Sequence, residues 1–282
     1  MLDLAIHCDE SKEYLLNATA LIREFARRVS SEKLPFRMML VGYDSRLYRF
    51  RINPPEDEEP SVSVSTGYEA KDQNYLLADE ELRGNPQEVL DNIEAILDHI
   101  EETVREAEVT KCKSEAMLGT ISWLLKACEG WSGKVWLVSG VTEPLPHFKD
   151  KLSRYFYDVA QQRSYLTNRE QCISPELHEL LGRTQLSLSF LFLKGSFANI
   201  MPFHHMAKTT NGEVRHFFPR QTTLFFHEFK QQLEELLEST TGYEALLKVR
   251  TSTGLRLVGV FGLYRETKIP DQVDLLTCPA SR

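Results

Sequence analysis

The residues with the clearest potential for chemistry are two cations near the end of the chain, Lys248 and Arg250. They occupy alternate positions of a predicted strand, so both side chains should point to the same face of that strand. A guanidinium can hold a carboxylate through two parallel hydrogen bonds, and an ammonium adds a point charge. The pair could therefore bind an acidic group, although a solvated, charged strand face explains the same spacing equally well.

A second candidate is a metal site after the first predicted strand. Sites of the type Asp-x-Ser-x-Ser supply oxygen ligands that suit Mg²⁺. Asp9 and Ser11 match the first two positions, but Glu13 occupies the third, and the loop after residues 134–139 contains no Asp. We therefore predict that Asp9 or Ser11 caps a helix, and that the chain binds no metal or other cofactor.

The chain shows no arrangement typical of an enzyme. His204 and His205 are adjacent, and neighbours on a helix diverge by about 100°, so the two cannot share one ion. Ser139-Gly140 lacks the pattern of a nucleophile elbow, and no Gly-rich phosphate loop is present. A hydrolase or transferase would need a nucleophile and a base, and neither is visible. Several acids recur at helical spacing and are predicted to form a solvated helix face: Glu94, Asp98, Glu101, Glu102 and Glu106.

Composition narrows the class of protein. The 282 residues, 42% hydrophobic and 26% charged, suffice for one large domain, or for one domain and a fragment of a second. The net charge of −8 argues against non-specific nucleic-acid binding. No apolar run reaches the ~18–20 residues that would span a bilayer. Five scattered cysteines without a C-x-x-C pair favour reduced thiols in the cytosol over a zinc site.

The elements that must position these residues alternate between strands and helices. A strand at 2–8, a helix at 10–29 and a strand at 36–43 predict a right-handed crossover in an α/β sheet. An edge strand is predicted at 62–68, and a disordered or surface excursion at 147–174. The remaining predicted strands are 46–52, 134–139, 186–192 and 213–218; the remaining helices are 85–109, 114–128, 175–181, 203–210 and 223–240. Together they predict a doubly wound, mostly parallel α/β domain over residues 1–241.

The character of the sequence changes after Gly242. Residues 243–264 have no helical periodicity, and the run Thr251-Ser252-Thr253-Gly254 predicts a tight turn, in which Gly254 can take a positive φ at little cost. We therefore predict a β-hairpin, with residues 242–282 forming the first strands of an incomplete β-barrel or sandwich.

Three blocks of sequence resemble the trunk of the cargo-adaptor subunit of the COPII vesicle coat, and the third is the most specific. In that family a glycine and an aromatic residue open a strand, a turn close to arginine-x-serine-threonine-glycine-leucine-arginine follows, and then a phenylalanine-glycine pair. The first block is Leu2-Asp3-Leu4-Ala5-Ile6-His7, and the second runs from Ser114-Glu115-Ala116-Met117-Leu118-Gly119 through Leu137-Val138-Ser139-Gly140. The third runs from Leu188–Gly195 through Gly212 and Val214 and then over Gly242–Gly262, with Gly242-Tyr243, Arg250-Thr251-Ser252-Thr253-Gly254-Leu255-Arg256 and Phe261-Gly262 as its matching residues. The resemblance implies a von Willebrand factor A-like trunk that runs into a β-barrel.

The resemblance also implies a function. Lys248 and Arg250 match the basic pair with which the adaptor grips acidic sorting signals, with Lys where the family has Arg at one position, and Arg256 could join the same surface. The implied role is that of a non-catalytic, cytoplasmic coat subunit, peripheral at the ER membrane, that selects cargo for ER-to-Golgi transport. Its partners would be the sister inner-coat subunit, through the trunk, and the cytosolic tails of cargo proteins.

Two alternatives stay open beside this interpretation. The family's zinc finger, helical domain and gelsolin-like domain have no counterpart here, so we expect either a fragment of a longer adaptor or a reduced relative. A metal-dependent adhesion-type A domain, binding a partner's carboxylate through an ion on Asp9 and Ser11, is the alternative function.

Overall fold

The computed structural model describes most of the chain, and every structural statement below concerns the residues that it describes. The predicted excursion at 147–174 lies outside them, except for Ile173 and Ser174. The described ranges are 1–4, 9–32, 38–44, 47–53, 61–66, 86–106, 115–139, 173–193, 200–218, 221–238, 240–260, 264–267, 269 and 271–280.

The main sheet has seven described strands, most of them parallel. They are β1 (Leu2–Asp3), β2 (Val41–Tyr43), β3 (Leu47–Asn53), β4 (Ser61–Thr66), β5 (Ser132–Ser139), β6 (Gln185–Leu193) and β7 (Val214–Phe217), in the order β4-β3-β2-β1-β5-β6-β7. β1 pairs in parallel with both β2 and β5, and β5, β6 and β7 continue in parallel. β2, β3 and β4 form antiparallel pairs, which places β4 at the edge, as predicted.

Helices cover both faces of this sheet. They are α1 (Asp9–Ser31), α2 (Pro86–Glu106), α3 (Glu115–Ala127), α4 (Pro175–Arg183), α5 (Met201–Thr209) and α6 (Thr222–Glu238). One apolar core joins α1, α2 and α6 to the sheet, and a second joins α3, α4 and α5 to the opposite face. Each helix lies within a few residues of its predicted position, because its apolar residues recur at the spacing of a buried helix face.

The central strand β6 shows how two cores fit around one sheet. Leu191 and Leu193 belong to the core under α1, α2 and α6, whereas Leu188, Phe190 and Phe192 belong to the other. Successive side chains of a strand point to opposite faces, and a strand covered on both faces is apolar at nearly every position. The doubly wound, mostly parallel sheet predicted from the sequence is thus confirmed.

The C-terminal segment forms a separate small sheet whose pairing differs from the predicted hairpin. It contains β8 (Thr240–Lys248), β9 (Arg265–Glu266) and β10 (Gln272–Ala280), in the order β8-β10-β9. The turn forms at the predicted place, with Gly254 at φ 93°, but residues 255–260 form no strand after it.

The partner of β8 is therefore β10 and not the segment next to the turn, so that part of the prediction is wrong. The antiparallel register pairs Leu247 with Val273 and Lys248 with Gln272. A turn needs only its own few residues, whereas strand pairing depends on which partner can bury apolar surface. Val273 is buried in β10, while Leu255 and Val258 remain exposed. The predicted domain boundary at residue 241 stays a prediction.

Candidate binding site

The basic residues singled out in the sequence lie around the end of β8. Lys248 is the last residue of the strand, and Arg250 follows two residues later, outside it. The chain keeps its direction for at least one residue more, because the Val249 amide donates a hydrogen bond of 3.0 Å to the Asp271 carbonyl. Lys248, Arg250 and Arg256 are all exposed.

A closed loop holds Arg250 and Arg256 on its two sides. The Thr251 hydroxyl donates to the Leu255 carbonyl at 3.0 Å, and the Leu255 amide donates to the Ser252 carbonyl at 3.1 Å. These bonds bring together the two ends of residues 251–255, so Arg250 and Arg256 flank a loop whose ends are held together. The loop thus gathers two cations that the sequence separates by six positions.

These three cations differ from the cations of the main sheet and its helices in their electrostatic surroundings. Within the described part of the chain, neither Lys248 nor either arginine forms an ion pair. Many cations of the rest of the chain have carboxylate partners, among them Arg23, Arg27, Arg28, Arg105, Arg183, Arg215 and Lys230. The charges around the end of β8 are therefore available to an acidic group from another molecule.

Apolar residues next to the basic residues in the sequence are exposed as well. Leu246 is 65% exposed, Leu255 68% and Val258 88%. Leu247, Val249 and Ile269 add further exposed apolar surface in the same C-terminal segment. Exposed apolar groups beside cations suit a ligand that carries both apolar and acidic side chains. The sequence analysis did not predict this apolar part of the site, because the exposure of these residues depends on strand pairing in the folded chain.

The metal candidate lies at the start of α1. Asp9 is the first residue of this helix and Ser11 lies in its first turn, but their side chains fall outside the described residues. Glu13, at the position of the third ligand, is exposed. In the part of the chain that the structure describes, no three His, Cys, Asp or Glu side chains come together as metal ligands. The predicted capping contact of Asp9 or Ser11 stays a prediction.

The adjacent histidines diverge, as their helical spacing predicts. His204 is exposed on α5, whereas His205 is buried and stacks on His178 of α4, with ring centroids 5.6 Å apart and an interplanar angle of 22°. A stack of this kind contributes to the packing of α4 against α5. It does not bring His204 and His205 to one ion.

The acidic face of α2 is not simply solvated, which corrects the prediction. Arg23 of α1 bonds to Asp98 at 2.8 Å and to Glu101 at 2.7 Å, and Arg27 bonds to Glu94 at 2.5 Å. Burial alone would raise the pKa of Glu101, but hydrogen bonds from Arg23 and Thr19 and the nearby positive charges lower it overall. These acids join α1 to α2, while Glu102 and Glu106 are exposed.

In the ranges that the structure describes, no helix is both long enough and apolar enough to cross a membrane.

The architecture defines a fold class: an α/β fold with a mostly parallel sheet covered on both faces, consistent with a Rossmann-like or von Willebrand factor A-like fold. No protein-family model and no curated protein matches the chain. Among solved structures, the human COPII-coat protein Sec24c shares the fold, with a TM-score of 0.68 over 99% of this chain and 17% sequence identity. This chain spans 37% of the length of that structure. At this level of identity, the likeness shows a common fold.

Proposed function

We propose that this chain is a non-catalytic protein-binding module that acts as part of a COPII-type vesicle coat in ER-to-Golgi transport. The observation that carries the proposal is the structural likeness to human Sec24c, a COPII-coat protein, over 99% of the chain. The Arg-x-Ser-Thr-Gly-Leu-Arg turn at residues 250–256 supports the same assignment. In this proposal the seven-stranded sheet and its helices form the trunk, and the small sheet forms the first strands of an incomplete β-barrel or sandwich.

The proposed ligand is the cytosolic tail of a cargo protein that carries an acidic sorting signal. Lys248, Arg250 and Arg256 are exposed, have no ion-pair partner in the described residues, and lie around one closed loop. Charge-assisted hydrogen bonds between guanidinium and carboxylate groups would hold the signal. The trunk would bind the sister inner-coat subunit, and the chain would then lie in the cytoplasm, peripheral to the ER membrane.

A peptide-binding measurement tests the cargo role. In the double variant Lys248→Ala/Arg250→Ala, we expect affinity for a fluorescent acidic peptide to fall about five- to tenfold, since exposed ion pairs contribute about 0.2–1 kcal/mol each and hydrogen bonds to charged groups somewhat more. The binding of the unaltered protein should also weaken as salt rises.

A matched control separates the site from the overall charge. Lys126→Ala/Arg183→Ala removes the same charge from exposed positions of α3 and α4. We expect this variant to bind the peptide as the unaltered chain does, with both variants retaining the thermal unfolding temperature of the unaltered chain. Equal affinities for the two variants would reject Lys248 and Arg250 as the cargo-binding residues.

A further inference from the structure

The outer edge of β8 offers hydrogen-bonding groups beside the three basic residues. We infer that an acidic ligand binds there as an added β-strand, in an extended conformation, with its backbone bonded to β8 and its carboxylate near Lys248 and Arg250. This inference rests on the proposed function, because it specifies how the acidic peptide is held. The ligand is then an extended peptide that carries an acidic residue and an apolar residue two positions apart.

β8 is an edge strand in the described part of the small sheet. It is nine residues long, and β10 is its described neighbour, on one side. A strand at the edge of a sheet presents a row of amide and carbonyl groups that can pair with another chain. Peptide recognition by strand addition uses such an edge for affinity and nearby side-chain contacts for specificity.

The register shows which residues of β8 face outward. The Val249 amide donates to the Asp271 carbonyl, so Val249 and, two residues back, Leu247 direct their backbone groups toward β10. In an antiparallel ladder, the intervening residues direct theirs to the other side. Leu246 and Lys248 therefore turn their backbone N–H and C=O groups away from β10, toward the open edge.

The side chains of these two residues set the chemistry of the ligand. Leu246 and Lys248 are two positions apart, so they share one face of β8, and both are exposed. Directly opposed side chains on neighbouring strands interact, and opposite charges or two apolar groups are favourable pairs. An added strand would place an apolar residue beside Leu246 and an acid beside Lys248, within reach of Arg250.

The β8 edge could pair with a peptide or with a second copy of this chain, and the charges beside it favour an acidic peptide. Two copies of the β8 edge would bring Lys248, Arg250 and Arg256 of each molecule near those of the other, and like charges on paired strands are destabilising. Lysine on an edge strand is a common protection against such self-pairing. The same charges attract an acidic strand, so the edge selects an acidic peptide.

Backbone-modified peptides test the inference on the full chain. The probe is a capped nine-residue peptide of alternating threonine and glutamine in which one residue is glutamate and the residue two positions later is leucine, the order that places the acid beside Lys248 and the leucine beside Leu246 in an antiparallel pair. Two further versions carry N-methyl groups on one or the other alternating set of amides, because only one set can face β8. We expect N-methylation of one set to weaken binding at least tenfold and N-methylation of the other set to leave it unchanged, as measured by calorimetry.

Substitutions in the protein test the same β8 edge independently of the modified peptides. Leu246→Pro removes an amide that faces outward, so it should leave the bonds to β10 in place, whereas Leu246→Ala removes only the side chain. We expect the proline variant to lose peptide binding and the alanine variant to lose at most a few-fold. If the proline variant unfolds, the N-methylated peptides decide alone.

The results of these binding measurements distinguish strand addition at β8 from acidic-peptide binding as such. Binding that depends on the glutamate but responds equally to both N-methylated sets would overturn strand addition and leave the acidic site intact. No binding of the glutamate peptide, with a glutamine version as reference, would overturn both. A dimer in sedimentation that Leu246→Pro dissociates would assign the edge to a second copy of the chain and overturn the peptide.

Discussion

The amino group of Met1 is the residue-level feature with the clearest pH dependence. It donates a hydrogen bond of 2.8 Å to the Trp136 carbonyl, and although the Met1 residue is partly exposed, burial of the amine lowers its pKa to about 5. The unfolded chain, with a pKa near 8, binds the proton more tightly between pH 5 and 8. With respect to this group, the folded chain is therefore most stable above pH 8. As the pH falls from 8 toward 5, titration of the Met1 amine lowers the free energy of unfolding by at most about 4 kcal/mol.

Urea unfolding of the chain at pH 5, 6, 7 and 8 measures this slope. A chain with an acetylated amino terminus serves as the control, since its amide cannot titrate while its histidines still do. We expect the slope with pH to be shallower in the acetylated chain. Identical slopes would show that the Met1 amine does not control stability.

Gly212 is predicted to tolerate no side chain. A Cβ at this position would lie 1.9 Å from the backbone oxygen of Leu188, far inside van der Waals contact, and a backbone atom of β6 cannot move aside cheaply. We expect Gly212→Ala to lower the free energy of unfolding by about 3 kcal/mol or more. The measurement is urea denaturation of the variant beside the unaltered chain.

Gly182 provides the matched control for the same substitution. It lies in α4, and a Cβ there would meet no atom within 4 Å. Because alanine is a better helix former than glycine, we expect Gly182→Ala to be neutral or to stabilise by up to about 1 kcal/mol. A neutral effect of both substitutions would show that the segment around Gly212 is farther from β6 than described.

At the scale of elements, one buried hydroxyl joins the end of α5 to β6. Thr210 is fully buried, and its hydroxyl donates to the Met206 carbonyl at 2.8 Å and accepts from the Leu188 amide at 3.0 Å. Thr210→Val keeps the shape but leaves the Leu188 amide without this acceptor, which should cost about 1–3 kcal/mol. Thr210→Ser keeps the hydroxyl and loses only a methyl group, so we expect it to cost about 1 kcal/mol.

Urea denaturation again gives the two costs, and amide hydrogen exchange at Leu188 locates the effect. Faster exchange at this amide in the valine variant than in the serine variant is expected. A serine variant less stable than the valine variant would mean that the methyl packing, and not the hydrogen bond, joins these elements.

The same elements show what the sequence could and could not predict. The helices and the two-sided burial of β6 follow from local periodicity, which each segment carries within itself. The partner of β8 does not, because residues 255–260 and β10 are both plausible strands by composition, and only burial of Val273 favours β10. The acids of α2 likewise looked solvated, because their partners Arg23 and Arg27 lie on another helix, more than sixty residues away.

The candidate site was predictable only in part for the same reason. The residue types and spacing of Lys248 and Arg250 are visible in the sequence. Their lack of ion-pair partners in the described residues depends on the positions of carboxylates elsewhere in the fold. The outward direction of the Leu246 and Lys248 backbone depends on which side of β8 is occupied by β10. Local spacing therefore indicates which groups could bind, and tertiary pairing decides which of them are accessible.

At the scale of the whole molecule, the two apolar cores contain no described residue after Leu237. The small sheet begins at Thr240, and its buried Val273 belongs to neither core. A chain that ends at Glu238 should therefore fold without β8, β9 and β10. We expect its midpoint of thermal unfolding to lie within a few degrees of that of the full chain, as measured by circular dichroism.

A shorter chain that ends at Gln221 is the control for this truncation. It lacks α6 and with it Phe225, Phe229, Leu233 and Leu237, all buried in the first core. Losing even one buried phenylalanine costs about 3–5 kcal/mol, which is a large part of a typical domain's stability of about 5–15 kcal/mol. This control should not fold. If the chain ending at Glu238 also fails to unfold cooperatively, the small sheet belongs to the same folding unit as the main sheet, and the boundary near residue 241 is wrong.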